Sequence, residues 1–271
     1  MVNAWIVFTG GIMGKAIKAL ASNPVSFLIM NFILYIFYGV LIGFSLLPSA
    51  FLVKYGFNYI DESFGMLIVC MFAGMSVFLF LIMGLFVFGL TERFLSLGLK
   101  PGKYPIDSAK FVRWIVYGGV HTLSINLILP FVMGSGFSKI YYRIIGCRFG
   151  EDVFINTVGL HDAYLLEIGN NVVIGGKSDI TCHTFENGYL SLKKVTIGNN
   201  VLIGANVYIM PGVNIGNNCD IGANSLIRKD KQVPDRSLIM QMPGLPAREL
   251  AAQLNAPKAI KELKKTLNSK E

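Results

Sequence analysis

The sequence predicts two joined architectures: an N-terminal α-helical transmembrane hairpin, then an all-β parallel β-helix that ends in a C-terminal α-helix. Three observations carry this. Two long stretches of the first half contain no charged side chain, an aliphatic residue returns every six positions through the second half, and a lysine-rich tail follows.

The uncharged stretches are residues 25–47 and 64–90. Each is long enough to cross a hydrocarbon core of ~30 Å at ~1.5 Å per helical residue. Composition agrees, since 53% hydrophobic residues, 15% charged residues and a mean hydropathy of +0.56 exclude an ordinary soluble domain. The first apolar run starts late, is too long for the core of a signal peptide and lacks a clear cleavage site, so a retained anchor is expected. Residues 1–24 read as an amphipathic segment ahead of it. Lys15 and Lys18 precede the hairpin, and Arg93, Lys100, Lys103, Lys110 and Arg113 follow it, while the connecting residues 48–63 hold Lys54 with Asp61 and Glu62. Basic flanks stay inside, which predicts a multi-pass membrane protein with both outer flanks, and the later domain, in the cytoplasm. The net charge of +8 fits that bias and attraction to anionic headgroups. No nucleic-acid motif accompanies it, and no nucleic-acid partner is expected.

Residues 91–148 read as a re-entrant or interfacial linker region. Its apolar stretch, 114–134, is interrupted by Gly118, Gly119, His121, Asn126 and Pro130 and is flanked by basic residues on both sides, features that weaken a spanning helix. Cys70, Cys147, Cys182 and Cys219 show neither metal nor disulfide spacing and read as reduced thiols. Cys182 beside His183 reads as a small residue filling a repeat position.

The repeat occupies residues 149–235. Ile197, Ile203, Ile209, Ile215, Ile221, Ile227 and Val233 follow one another at intervals of six, as do Ile168, Ile174 and Ile180, with Phe149 and Ile155 further back. Neither a 3.6-residue helix nor an alternating strand has this period. It fits a parallel β-helix of about four coils, in which short strands form the sides of a prism. The aliphatic residue points inward, as does the residue four further on: Val172, Ser178, Thr184, Val201, Val207, Val213, Cys219 and Ser225. Glycine and asparagine fill the corners because they tolerate left-handed backbone. The thirteen residues from Ile155 to Ile168 call for a one-residue bulge near His161.

The segment "IGANVYIMPGVNIGNNCDIGANSLIRKD" with the later "MPGLPAREL" resembles the hexapeptide-repeat acyltransferases, over roughly residues 149–250. The preceding "KPGKYPIDSAKFVRWIV" and "RIIGCRFGEDVFI" are similar to membrane-attached acyltransferase-like regions at the C-terminal end of some peptide synthetases. The resemblance implies a left-handed β-helix, a homotrimer with sites between subunits, and an acyl coenzyme A, acetyl-CoA first, as donor. It also implies a histidine base beside an excursion loop that reaches a neighbouring subunit.

His183 matches that histidine. It is the fourth residue of the hexad begun by Ile180, and the next repeat, due near residue 186, is delayed by eleven residues to Ile197. Imidazole titrates near neutrality, so it can take a proton from an acceptor hydroxyl or amine and return it to a leaving thiolate. His161 is the second candidate. Asp162, about one coil earlier on the same side, is the expected orienting carboxylate, whereas Asp179 and Glu186 read as solvated charges. By the resemblance, Gly204, Ala205, Gly222, Ala223, Arg228 and Lys229 hold coenzyme A, with Arg248 a further match. No metal is expected, because the chain has three histidines and His121 sits in an apolar segment. A membrane lipid or lipid-linked glycan is the expected acceptor. The rival class is a non-catalytic trimeric membrane scaffold of a polymer synthesis or export complex. The tail, 236–271, reads as a turn and a basic helix.

Overall fold

The computed structural model describes residues 24–61 and 63–240. The amphipathic segment, the C-terminal helix and Arg248 lie outside the described residues.

Two long helices open the fold, α1 (Pro24–Gly56) and α2 (Gly65–Ser96). Both are long and apolar enough to cross a membrane, with mean hydropathies of 2.1 and 2.7 over Asn31–Tyr59 and Gly65–Ser96. They extend past the predicted 25–47 and 64–90, the first through Pro48 to Gly56 and the second to Ser96. Phe32, Phe44, Met66, Leu67 and Phe78 are exposed along them, as lipid-facing side chains would be.

Next come α3 (Ala109–Leu127), α4 (Leu129–Val132) and α5 (Gly136–Ile145). Ser108 caps α3 by accepting from the Phe111 N–H, and Ser135 caps α5 by accepting from that of Phe137. Gly146, at φ 114°, ends α5 in left-handed backbone. The glycines and polar residues expected to weaken the third apolar stretch do not break α3, because each polar group finds a partner. Thr122 and Asn126 bond carbonyls one turn back, and His121 and Ser124 reach Glu92 of α2. Gly119 is where α1 comes closest: a Cβ there would lie 1.8 Å from the Tyr38 hydroxyl. The chain turns at Ile128, just before Pro130.

The prism has three parallel sides. Phe149, Ile168, Ile197, Ile215 and Val233 stack inside the first. Ile155, Ile174, Ile203, Ile221 and Ile239 stack inside the second, and Leu160, Ile180, Ile209 and Ile227 inside the third. Corners carry left-handed Asn171, Asn200, Asn206, Asn218 and Asn224, with φ between 53° and 60°. Burying these isoleucine columns supplies the main apolar stabilisation, at roughly 1.5–3 kcal/mol per fully buried side chain.

Two expectations need correction here. No single-residue bulge absorbs the extra length near His161. Leu160 takes the inward place, left-handed Asp162 turns the chain, and a 3-10 turn at Ala163–Leu165 leads into the next strand at Leu166. Nor does Thr184 point into the prism. It belongs to a hairpin in which His183–Glu186 pairs antiparallel with Tyr189–Leu192 around left-handed Asn187 and Gly188. Gly102–Pro105, between α2 and α3, adds the third strand. The excursion therefore forms a three-stranded antiparallel sheet with residues of its own chain.

Candidate active site

His183 lies at the hexad position that other coils give to a left-handed corner residue, and there the chain leaves the prism for the hairpin. Two lysines fasten that hairpin to the fourth coil. Lys193 Nζ lies 2.6 and 2.7 Å from the carboxylate oxygens of Asp230, and Lys229 Nζ pairs with Glu186.

Asp162 comes from the left-handed turn one coil earlier, and its Oδ2 accepts from His183 Nδ1 at 2.5 Å. Its other oxygen accepts from the Trp114 indole N–H of α3 at 2.8 Å. Asp162 is 1% exposed and the His183 side chain 27%, so the carboxylate is sealed while the imidazole meets the surface. The Trp114 ring centroid lies 4.7 Å from that of His183, and Phe185 packs edge-on to both. Thr181 Oγ1 sits 3.1 Å from Nδ1.

Burial disfavours charge on both members of the pair, yet their mutual attraction wins. Burial alone would lift the Asp162 carboxyl, but the His183 charge and hydrogen bond, the Trp114 N–H and nearby His161 hold it below the usual carboxylate value. Burial alone would lower His183, but Asp162, with Asp179 behind it, raises it, and His121 works in the opposite direction. A carboxylate on Nδ1 fixes the tautomer and leaves Nε2 as the nitrogen able to exchange a proton with a substrate. The Cys182 thiol is buried and pushed up by burial, which suits packing rather than nucleophilic attack.

The structure thus brings His183 and Asp162 together. His161 lies beside them with Nε2 3.1 Å from Oδ1 of Asp179, whose side chain is 38% exposed. Glu186 is likewise paired, to Lys229. The donor-site residues Gly204, Ala205, Gly222, Ala223, Arg228 and Lys229 lie on coils three and four. Among them the Gly204 and Gly222 amides donate to the Ile221 and Ile239 carbonyls, and Lys229 pairs with Glu186. Ala205, Ala223 and Arg228 are exposed. His121, set apart in the sequence reading, lies with its ring centroid 5.3 Å from that of His161. No cluster of three or more ligating side chains positioned for a metal occurs among the described residues.

Trp114 and Glu92 were missed from sequence. A signal for Trp114 was present: Trp114, Tyr117 and His121 recur at helical spacing and share one buried face.

A coiled prism of six-residue repeats defines a class, and the family comparison agrees with it. Residues 194–229 match the family described as bacterial transferase hexapeptide (six repeats). "Putative acetyltransferase YvoF" of Bacillus subtilis (strain 168) is 30% identical over 153 residues, 52% of this chain and 86% of that protein. The delta-poly-L-ornithine synthetase of Acinetobacter baumannii (strain AB307-0294) is 25% identical over 175 residues, 64% of this chain but 13% of the synthetase. Among solved structures, a maltose O-acetyltransferase from Clostridium difficile 630 has 22% identity, covers 51% of this chain and 87% of its own, and gives a TM-score of 0.39. A galactoside acetyltransferase in complex with coenzyme A has 21% identity, covers 55% and 84%, and gives a TM-score of 0.36. The chain belongs to the hexapeptide-repeat transferases, and its relatives there are acetyltransferase-type.

Proposed function

We propose that this chain is a membrane-attached acyltransferase that moves an acyl group, acetyl first, from coenzyme A to a hydroxyl or amine of a lipid-linked or membrane-surface acceptor. The observation that carries it is the His183–Asp162 pair, sealed on the Asp162 side by Trp114 of a helix that itself packs on the apolar helix α2. The base and the membrane-type helices are thereby joined within one body.

His183 Nε2 takes the proton of the attacking hydroxyl or amine, holds it as imidazolium against Asp162, and gives it to the departing thiolate. The donor supplies a carbonyl already activated as a thioester, so the transfer is direct and leaves no acyl group on the protein. Exposed Ala205, Ala223 and Arg228 fit the donor's pantetheine and phosphates on the late coils, Arg228 through charge. The basic residues after α2 support a cytoplasmic prism, where acyl coenzyme A is found.

The second side of the prism supports a homotrimer. Its outward residues Phe154, Val173 and Leu202 are exposed and apolar over three successive coils, before Asp220 takes the same place on the next, and a second copy would cover them. Native mass spectrometry in detergent showing only monomer contradicts that part. The activity is tested by incubating the purified chain with labelled acetyl coenzyme A and membrane lipid extracts. Label entering a lipid fraction is the expected result. Absence of both coenzyme A binding and label transfer contradicts the reading.

A further inference from the structure

Every histidine of this chain is held by a different carboxylate, and the three pairs lie together. His183 Nδ1 meets Asp162 at 2.5 Å, His121 Nδ1 meets Glu92 at 3.0 Å, and His161 Nε2 meets Asp179 at 3.1 Å. His161 precedes Asp162 in the chain, and the His121 and His161 rings meet edge-on at 5.3 Å. Only the His183–Asp162 pair is used by the proposed reaction.

The Glu92 pair is the least expected. Glu92 is 0% exposed in the last turns of α2, a helix otherwise built for lipid, and burying a carboxylate there is costly without partners. Three donors converge on it: Ser124 Oγ at 2.7 Å, the Tyr141 hydroxyl and His121 Nδ1. Such a carboxylate accepts from all three, so His121 carries its hydrogen on Nδ1. His121 is itself 4% exposed, and its Nε2 has no hydrogen-bond partner among the described residues. The hydroxyls of Tyr117, stacked on His121, and of Tyr164, edge-on to Tyr117, also lack one. Asp179 Oδ1 is close to His161 yet not aligned as a hydrogen bond. Buried polar atoms without a protein partner beside an active site call for a functional or structural explanation.

We infer that the three carboxylate–imidazole pairs act as one electrostatically coupled unit, in which Asp179 favours the imidazolium of His183 and Glu92, by holding His121 Nδ1, offsets the charge by which His121 would oppose it. Glu92 and His121 are positioning residues that never touch substrate. Their effect follows from charge, because an anion behind the site favours the imidazolium that forms on His183 when it takes the acceptor's proton. The proton balance of transfer is unchanged: the acceptor's proton goes to His183 and leaves on the thiol. The inference rests on His183 being the base, but its test needs neither donor nor acceptor.

The test is a pH titration of the three imidazole Cε1–H resonances in the full chain, labelled with 13C-histidine and held in lipid nanodiscs. Coupled sites titrate with shared, multi-step curves. In the Glu92→Gln variant the His183 midpoint should move to lower pH, because His121 then lacks the anion that offsets it. Glu92→Asp, which keeps the charge, should titrate as the unaltered protein does. An unmoved midpoint in Glu92→Gln overturns the inference, as does an equal shift in Glu92→Asp. Should Glu92→Gln fail to fold, the unaltered protein decides: coupled curves support the unit, and three independent single-step curves overturn it.

Discussion

The prism and the helices packed against it satisfy their polar groups in opposite ways. Along the prism corners each partner is a copy of the last: Asn217 Oδ1 accepts from the Asn199 N–H and Asp235 Oδ1 from the Asn217 N–H, both at 2.8 Å, while Asn200 bonds Asn218 at 3.0 Å. Among the helices the buried polar groups that face the prism find unlike and distant partners, as with Glu92 and Tyr141 or Trp114 and Asp162. A repeating sequence builds repeating contacts, which set stability and are individually dispensable. Chemistry needs an exception, and it sits where the two regions meet.

That contrast can be broken from either side. Asp162→Asn attacks the junction and should have the largest effect, because an amide in place of the carboxylate leaves His183 in the wrong tautomer. Acetyl transfer should fall roughly 10³–10⁴-fold, the order seen when a buried orienting carboxylate is lost. Steady-state transfer of labelled acetyl measures it, and a loss under about tenfold would detach Asp162 from the reaction.

Ile203→Ala attacks the prism instead. Ile203 is 0% exposed in the middle of its column, so its truncation should cost ~2–5 kcal/mol of stability, read by denaturant unfolding, while leaving the folded protein's turnover near normal. A variant of unchanged stability but lost turnover would reverse the assignment of roles.

A smaller effect separates the two regions by pH. Asp162 is depressed in the folded chain, so its contribution is present above the unfolded value of ~3.9 and is lost as pH falls through the folded one. His183 is raised, so its contribution is full below the unfolded value of ~6.5 and is lost as pH rises through the folded one. The melting-temperature advantage of the unaltered protein over Asp162→Asn should therefore be greatest between about pH 4 and 6.5, whereas that over Ile203→Ala should vary little with pH. The smallest effect is expected from Asn217→Ala on the exposed ladder, about 1 kcal/mol by the same unfolding measurement.

The same contrast explains what could be read in advance. The isoleucine columns were legible because each coil repeats the demand of the one before, and His183 stood out because the rhythm stops there. Asp162 followed from counting back one coil. The hairpin was written in Asn187–Gly188, a pair suited to a tight turn between strands, yet the broken period drew attention away from it. Partners set by tertiary packing were illegible: nothing near Glu92 in sequence announces His121, twenty-nine residues on, or Tyr141. The Glu186 partner of Lys229 was equally unannounced, forty-three residues away.

The measurement that bears most directly on the central claim is the His183→Ala variant compared with the unaltered chain in coenzyme A binding by calorimetry and in labelled acetyl transfer to the lipid acceptor. Trp114 still donates to Asp162 when the imidazole is gone, so the variant should fold, with reduced stability, and bind coenzyme A with an unchanged Kd. Its transfer should fall by ~10²–10⁴, the usual contribution of a positioned general base. Transfer at a near-normal rate by the folded variant would contradict His183 as the base.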